Sequence, residues 1–111
     1  MANARVDRDV EVVMRDGVVL RADVYSPEDS EPVPVIVQRT PYDKSLYIAL
    51  GTLYAQAGYI AVLQDVRGQF ASDGDWMPFV NEGADGYDTI EWAAALPGSD
   101  GRVAAVGTSY Q

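Results

Sequence analysis

Residues 33–64, VPVIVQRTPYDKSLYIALGTLYAQAGYIAVLQ, decide the fold. The first run, Val33 to Gln38, is continuous and rich in Val and Ile, the composition of a strand covered on both faces rather than one. Ser45 then stands where it can cap a helix whose apolar residues Leu46, Ala49, Leu50, Leu53, Tyr54 and Ala57 recur at three- and four-residue intervals. Gly58 supplies the stop, and Tyr59 to Gln64 reads as a second buried strand. A strand, a helix and a strand on short connections form a right-handed crossover between parallel strands.

Working outward, Val10 to Met14 and Val18 to Tyr25 flank Arg15-Asp16-Gly17, and an Asp-Gly between two apolar alternations signals a hairpin. The acidic, proline-rich stretch Ser26 to Pro34 is a solvated connection, since too little chain precedes it to make a domain. On the other side, a Gly- and Asp-rich loop from Asp65 to Pro78 leads to a second helix over about Ala84 to Leu96, ended by Pro97-Gly98. Its expected buried stripe is Tyr87, Ile90, Trp92 and Ala94. A last strand, Arg102 to Val106, runs into Gly107-Thr108-Ser109-Tyr110-Gln111. The fold class is therefore α/β: an N-terminal antiparallel hairpin, then mostly parallel strands with helices on both faces. No internal repeat is present. Val103 to Val106 lack the crossover helix and neighbouring strands that bury such a run, so residues 1–111 are expected to be the first portion of a larger α/β domain.

Composition narrows the chemistry. The chain has 111 residues, 8 Lys and Arg against 17 Asp and Glu, a formal charge of −9 and 48% hydrophobic residues; its pI is about 4.1 and its mean hydropathy −0.10. That is room for one domain and apolar stock enough to fold. The acidic balance argues against a nucleic-acid binder or an anionic-membrane binder, which need clustered cations. Cysteine and histidine are both absent, so thiol chemistry is excluded and any imidazole must come from outside these residues. The N-terminus lacks the apolar core of a signal peptide and no run reaches a membrane span, which makes a soluble, cytoplasmic protein the expectation. No cofactor-binding pattern occurs. The carboxylates Asp73, Asp75, Glu82, Asp85 and Asp88 do not follow EF-hand spacing, so no metal site is expected either.

One nucleophile has a structural context. Ser109 follows a buried-type strand, and Gly107 two residues earlier gives the small neighbour that a sharp strand-to-helix turn requires. The tripeptide pattern alone is common, and its bland reading is a serine in an ordinary turn. A serine hydroxyl needs a base to take its proton and donors about 3 Å from the developing oxyanion. The Tyr110 backbone N–H, just after the nucleophile, can be one donor. Tyr42, in the loop after the strand at Val33, offers a phenol as the other, with Pro41 restricting the backbone; the alternative is that Tyr42 only packs. Asp65 and Arg67 end the second parallel strand, where bracing the loop is the expected role. Trp76, Trp92, Tyr47 and Tyr54 have packing explanations.

Four segments together, Met14-Arg15-Asp16-Gly17-Val18, Arg39-Thr40-Pro41-Tyr42-Asp43-Lys44, Gln64-Asp65-Val66-Arg67-Gly68-Gln69-Phe70-Ala71-Ser72-Asp73-Gly74 and Val106-Gly107-Thr108-Ser109-Tyr110, resemble the X-Pro dipeptidyl peptidase and cocaine esterase family of α/β-hydrolases. The resemblance spans nearly the whole chain but only the first part of that family's catalytic domain. It implies Ser109 as nucleophile, the Tyr42 hydroxyl and Tyr110 amide as the oxyanion hole, and hydrolysis of an ester, amide or peptide bond. Its elbow is Gly-x-Ser-Tyr-x-Gly, whose closing glycine would follow Gln111. It also implies a triad Asp and His later in the chain, beyond a helical cap, and a C-terminal jelly-roll domain. None of these lies within residues 1–111, so this piece alone is expected to be nearly inert.

The rival reading is a noncatalytic binding or assembly module that offers its last strand to a partner. The partners expected under the first reading are a small ester, amide or peptide substrate, with association either with a second copy or with the remainder of the hydrolase.

Overall fold

The computed structural model describes residues 4–27, 32–40, 44–66, 72–73 and 82–105. The strands are β1 (Ala4–Val13), β2 (Val19–Pro27), β3 (Val33–Thr40), β4 (Ile60–Asp65) and β5 (Ser99–Ala105), and the α-helices are α1 (Ile48–Gln56) and α2 (Glu82–Ala94). They form a sheet of order β1-β2-β4-β3-β5. β1 pairs antiparallel with β2 and β2 antiparallel with β4, whereas β4 and β5 both lie parallel to β3. The α/β class read from the sequence is the one observed.

The hairpin closes where Asp16-Gly17 indicates. The Gly17 N–H donates to the Met14 carbonyl and the Met14 N–H to the Val18 carbonyl, each at 2.9 Å, with Gly17 at φ +88°, a conformation glycine adopts without steric cost. β1 starts at Ala4, earlier than the apolar pattern indicates. Residues 5–9 are exposed, and an edge strand is held by its ladder hydrogen bonds without needing an apolar face. Its pairing with β2 shifts register between Asp7 and Val10, and Asp9 sits there at φ +52°. A bulge of this kind re-aims a side chain.

The period-2 alternation of the strands divides two cores. Leu20, Ala22 and Val24 of β2, Val35 and Val37 of β3, and Ile60 and Val62 of β4 pack on one face with Val12, Met14 and Ala93 of α2. Tyr25, Ala61 and Leu63 pack on the other with Ala55 of α1, flanked by Tyr47 and Tyr54. The helices thus cover opposite faces, as expected.

Helix faces depart from the apolar periodicity. α1 follows a short 3-10 helix, Lys44–Tyr47, so Tyr47 rather than Ser45 occupies its N-cap position. It buries Gly51 and Ala55, while Ala49 and Ala57 are exposed and Leu53 is 60% exposed. The reason is Tyr25: its buried ring fills the space over β2, and only a residue without a side chain lets the helix approach it. A Cβ added at Gly51 would stand 2.5 Å from two Tyr25 ring carbons. Among the described side chains of α2 the buried positions are Asp85, Thr89 and Ala93, with Trp92 half-buried, whereas Tyr87 is 59% and Ile90 37% exposed. The helix is turned by hydrogen bonds from Thr89 and to Asp88, described below, instead of by its apolar residues. β5 begins at Ser99, three residues ahead of the expected start, and its register on β3 is irregular between Val33 and Val35; Val106 lies outside the described residues.

Gly51→Ala tests this close approach. Helix propensity alone favours alanine by about 1 kcal/mol, but overpacking against a fully buried ring costs typically 1–3 kcal/mol. The variant is expected to unfold at lower denaturant concentration than the parent chain, with its far-UV spectrum retained. A higher midpoint would show that the Tyr25 ring yields freely.

Candidate active site

Because β3, β4 and β5 run parallel, the chain leaves all of them at one edge of the sheet, with Thr40 opposite Asp65 and Val37 opposite Ala105. Open α/β sheets place ligands at this carboxyl edge. Tyr42, Arg67, Ser109 and Tyr110 all follow these strand ends and lie outside the described residues. The described structure fixes their points of departure: Tyr42 is two residues beyond the end of β3, and Ser109 four beyond the end of its neighbour β5.

The best-built feature at this edge centres on Lys44, the chain's single lysine. Its Nζ lies 2.6 Å from Asp9 Oδ1, 3.1 Å from Asp23 Oδ1 and 3.9 Å from Asp65 Oδ2. The Lys44 side chain is 6% exposed and those of Asp23 and Asp65 are 1% exposed. The backbone joins in: the Lys44 N–H donates to Asp65 Oδ1 at 2.7 Å, and the Asp9 N–H donates to Asp23 Oδ1 at 3.0 Å. Arg8 Nη1 reaches Asp23 Oδ2 at 3.5 Å. One ammonium therefore ties the β1 bulge, β2, the end of β4 and the turn after residues 41–43. Burial is the largest single influence on Lys44 and acts to lower its pKa, but the hydrogen bonds it donates to Asp9 and Asp23 and the fields of Asp23 and Asp65 outweigh it, holding the ammonium above the ordinary lysine range.

Asp65 thus has the bracing role expected of it. Its carbonyl also accepts from Ser72 Oγ at 2.6 Å, and Ser72 Oγ in turn accepts from the Arg21 N–H at 2.8 Å. Asp73 pairs with Arg21 at 2.9 Å. The chain beyond β4 is thereby returned to the edge of β2.

On the α2 face, Gln64 Oε1 accepts from Arg39 Nε at 2.6 Å and from Thr89 Oγ1 at 2.9 Å, and Thr89 Oγ1 also lies 2.8 Å from the Asp85 carbonyl. Gln64 and Thr89 are fully buried. Further out, Asp88 receives the Arg15 N–H at 3.0 Å and Arg15 Nη2 at 2.8 Å, docking the hairpin turn on α2; hydrogen bonds from Arg15 hold the Asp88 carboxyl below the usual range.

These ties were not foreseen from the sequence, although it carries a signal for them. Asp23 and Asp65 sit in otherwise apolar buried runs, and a buried carboxylate must find a cation or several donors. What the pattern lacks is the partner's identity, because Lys44 is 21 residues from both. Among the described residues, no group of His, Cys, Asp or Glu is arranged to hold a metal ion. Trp92, Tyr47 and Tyr54 are half-buried against the cores, as their packing explanation has it; Trp76 and Asp75 lie outside the described residues.

The raised Lys44 pKa has a definite sign. An ammonium held above its unfolded value of about 10.4 contributes stability that is complete below that pH and is lost as pH rises through the folded value. Tyr25, whose phenol is pushed up by burial, acts in the same direction. A thermal midpoint followed by circular dichroism is expected to hold level through neutrality and fall in strong alkali. A midpoint that does not fall there would mean that the ammonium is not specifically held.

Comparison with known proteins places this geometry. The sequence profile described as X-Pro dipeptidyl-peptidase (S15 family) matches residues 16–111. A cocaine esterase from Rhodococcus sp. (strain MB1 Bresler) is 42% identical over 114 residues, covering 97% of this chain and 20% of that protein. Among solved structures, an α-amino acid ester hydrolase superposes with a TM-score of 0.86 at 30% identity, over 98% of this chain and 22% of that one. An aminopeptidase from the marine sediment archaeon Thaumarchaeota archaeon superposes with a TM-score of 0.82 at 30% identity, over 96% and 21%. The chain spans about a fifth of the length of the curated relatives it matches. With the profile covering all but the first 15 residues and the sheet superposing along nearly its whole extent, the chain belongs to the X-Pro dipeptidyl-peptidase (S15) family.

Proposed function

We propose that the polypeptide carrying this chain is a serine hydrolase that cleaves an ester, amide or peptide bond through an acyl-enzyme, and that residues 1–111 are the N-terminal section of its catalytic domain. The observation that carries this reading is the parallel pairing of β3 with β5, Val37 against Ala105, which sends the Tyr42 and Ser109 segments out from adjacent strands at one edge. In the proposed reaction the Ser109 Oγ attacks the carbonyl carbon, its proton passing to a base. The Tyr42 hydroxyl and the Tyr110 N–H donate to the oxyanion. The leaving alkoxide or amine takes the proton, and water repeats the sequence on the acyl-enzyme. The chain contains no histidine, so an imidazole base comes from outside these 111 residues.

The relatives' names point to acyl transfer from carbonyl substrates: a cocaine esterase, an α-amino acid ester hydrolase and an aminopeptidase. Support for a partner surface comes from β5, which ends the strand order and pairs with β3 on one side; its other side is taken here as the join to the rest of the hydrolase. A cytoplasmic location completes the proposal. Among the described residues, no helix is long and apolar enough to cross a membrane.

A serine-directed fluorophosphonate is expected to label the complete hydrolase at Ser109 and to leave Ser109→Ala unlabelled; modification of another residue in peptide mapping would refute the assignment. Tyr42→Phe is expected to lower kcat by about 10² with much less change in KM. An unaltered kcat would leave Tyr42 a packing residue.

A further inference from the structure

From Val10 to Val13, β1 pairs with β2 as a plain ladder, Val10 opposite Ala22 and Val12 opposite Leu20. From Ala4 to Asp7 the pairing is displaced by one residue, so that Arg8 and Asp9 together face the single Asp23. Such a displacement inverts the alternation of side chains. Val10 and Val12 pack in the apolar cluster on the α2 face, yet on that same face the outer half of the strand presents Arg5 and Asp7, which border a groove lined by Val10, Val24, Ile60 and Leu96. Val6 is sent to the other face, opposite Tyr25, and is 37% exposed. A straight ladder would keep Val6 in phase with Val10 and Val12 and place it over the groove. Apolar patterning therefore favours the pairing that is not observed, and Asp9, at φ +52°, occupies a region that residues other than glycine seldom adopt.

What the bulge satisfies is a buried carboxylate. Asp23 is 1% exposed; its Oδ1 accepts the Asp9 N–H at 3.0 Å and lies 3.1 Å from Lys44 Nζ, and its Oδ2 lies 3.5 Å from Arg8 Nη1. A carboxylate shut away from water needs such donors. In the straight ladder Asp9 would stand directly opposite Asp23, setting two carboxylates face to face, and Arg8 would turn to the α2 face, opposite Val24. Fixing a register is the best-attested use of a buried ionic group. We propose that Asp23 is a register lock: by capturing the Asp9 amide it selects the bulged pairing of β1 over a straight pairing one residue away. Because Lys44 joins Asp23 to Asp65, the lock ties the setting of the outer edge strand to the end of β4.

Cross-strand disulfides read the register. In the bulged pairing Arg5 is opposite Ser26, and in the straight pairing Val6 would be. Facing residues are within disulfide reach, whereas the next residue along a strand points to the opposite face. Two double variants of the complete hydrolase, Arg5→Cys with Ser26→Cys and Val6→Cys with Ser26→Cys, are oxidised under native conditions and the linked peptides identified by mass mapping. With Asp23 in place, the first pair is expected to close at least about 10-fold faster than the second, whose Cβ vectors point apart. Asp23→Val is expected to reverse that order, and Asp23→Asn, which keeps an acceptor oxygen for the Asp9 amide, to preserve it. Should Asp23→Val not accumulate as folded protein, Asp9→Pro takes its place, since proline has no amide hydrogen and cannot adopt the left-handed backbone. A preference for the first pair that survives loss of the carboxylate or of the amide, or that disappears in Asp23→Asn, overturns the inference.

Discussion

One buried ammonium surrounded by carboxylates organises the carboxyl edge of this sheet. Lys44 reaches Asp9, Asp23 and Asp65, residues contributed by β1, β2 and β4, so elements distant in the chain meet at one charge. Removing one partner from a buried ion pair typically costs about 3–5 kcal/mol, because a charge is left without compensation. That is a large fraction of the 5–15 kcal/mol that holds a domain together. The bulge at Asp9, with its φ of +52°, is intelligible in this light: it brings a carboxylate within 2.6 Å of the ammonium from a strand that otherwise runs along the exposed edge.

The rest of the sheet supplies a rigid base for that edge. Its two faces are covered differently. The α2 side carries the larger apolar cluster and, at the carboxyl end, the buried Arg39, Gln64 and Thr89 hydrogen bonds. The α1 side is built on Tyr25, with Gly51 and Ala55 laid close against it. Polar ties therefore concentrate where the parallel strands end, and apolar packing dominates toward the middle of the sheet. A site placed on such an edge inherits the precision of the strands beneath it, which catalysis by positioned donors requires.

Family membership and the geometry bear on different questions. The match over residues 16–111 and the superpositions on hydrolases establish descent and fold. The described structure adds which side chains hold the segments leading to the proposed site: Asp65 joins the ends of β3 and β4 to the turn at Lys44, and Ser72 joins the chain beyond β4 to Arg21. These are contacts that a sequence comparison does not express.

What the sequence determined by itself was the order and type of the elements. Val33 to Gln38 and Tyr59 to Gln64 are too uniformly apolar to face water, and Gly17 supplies the left-handed conformation that closes the hairpin. Local chemistry settles such features, and they are observed. Tertiary structure alone decided which face each helix buries. Leu53, Tyr87 and Ile90 have the periodicity of a core stripe yet are exposed, because the Tyr25 ring admits only Gly51 beneath α1, and because Thr89 and Asp88 turn α2 toward Gln64 and Arg15. It also decided the pairing of Lys44 with Asp23 and Asp65. A buried charge announces that a partner must exist, but which partner depends on the distance between strands that only folding brings together.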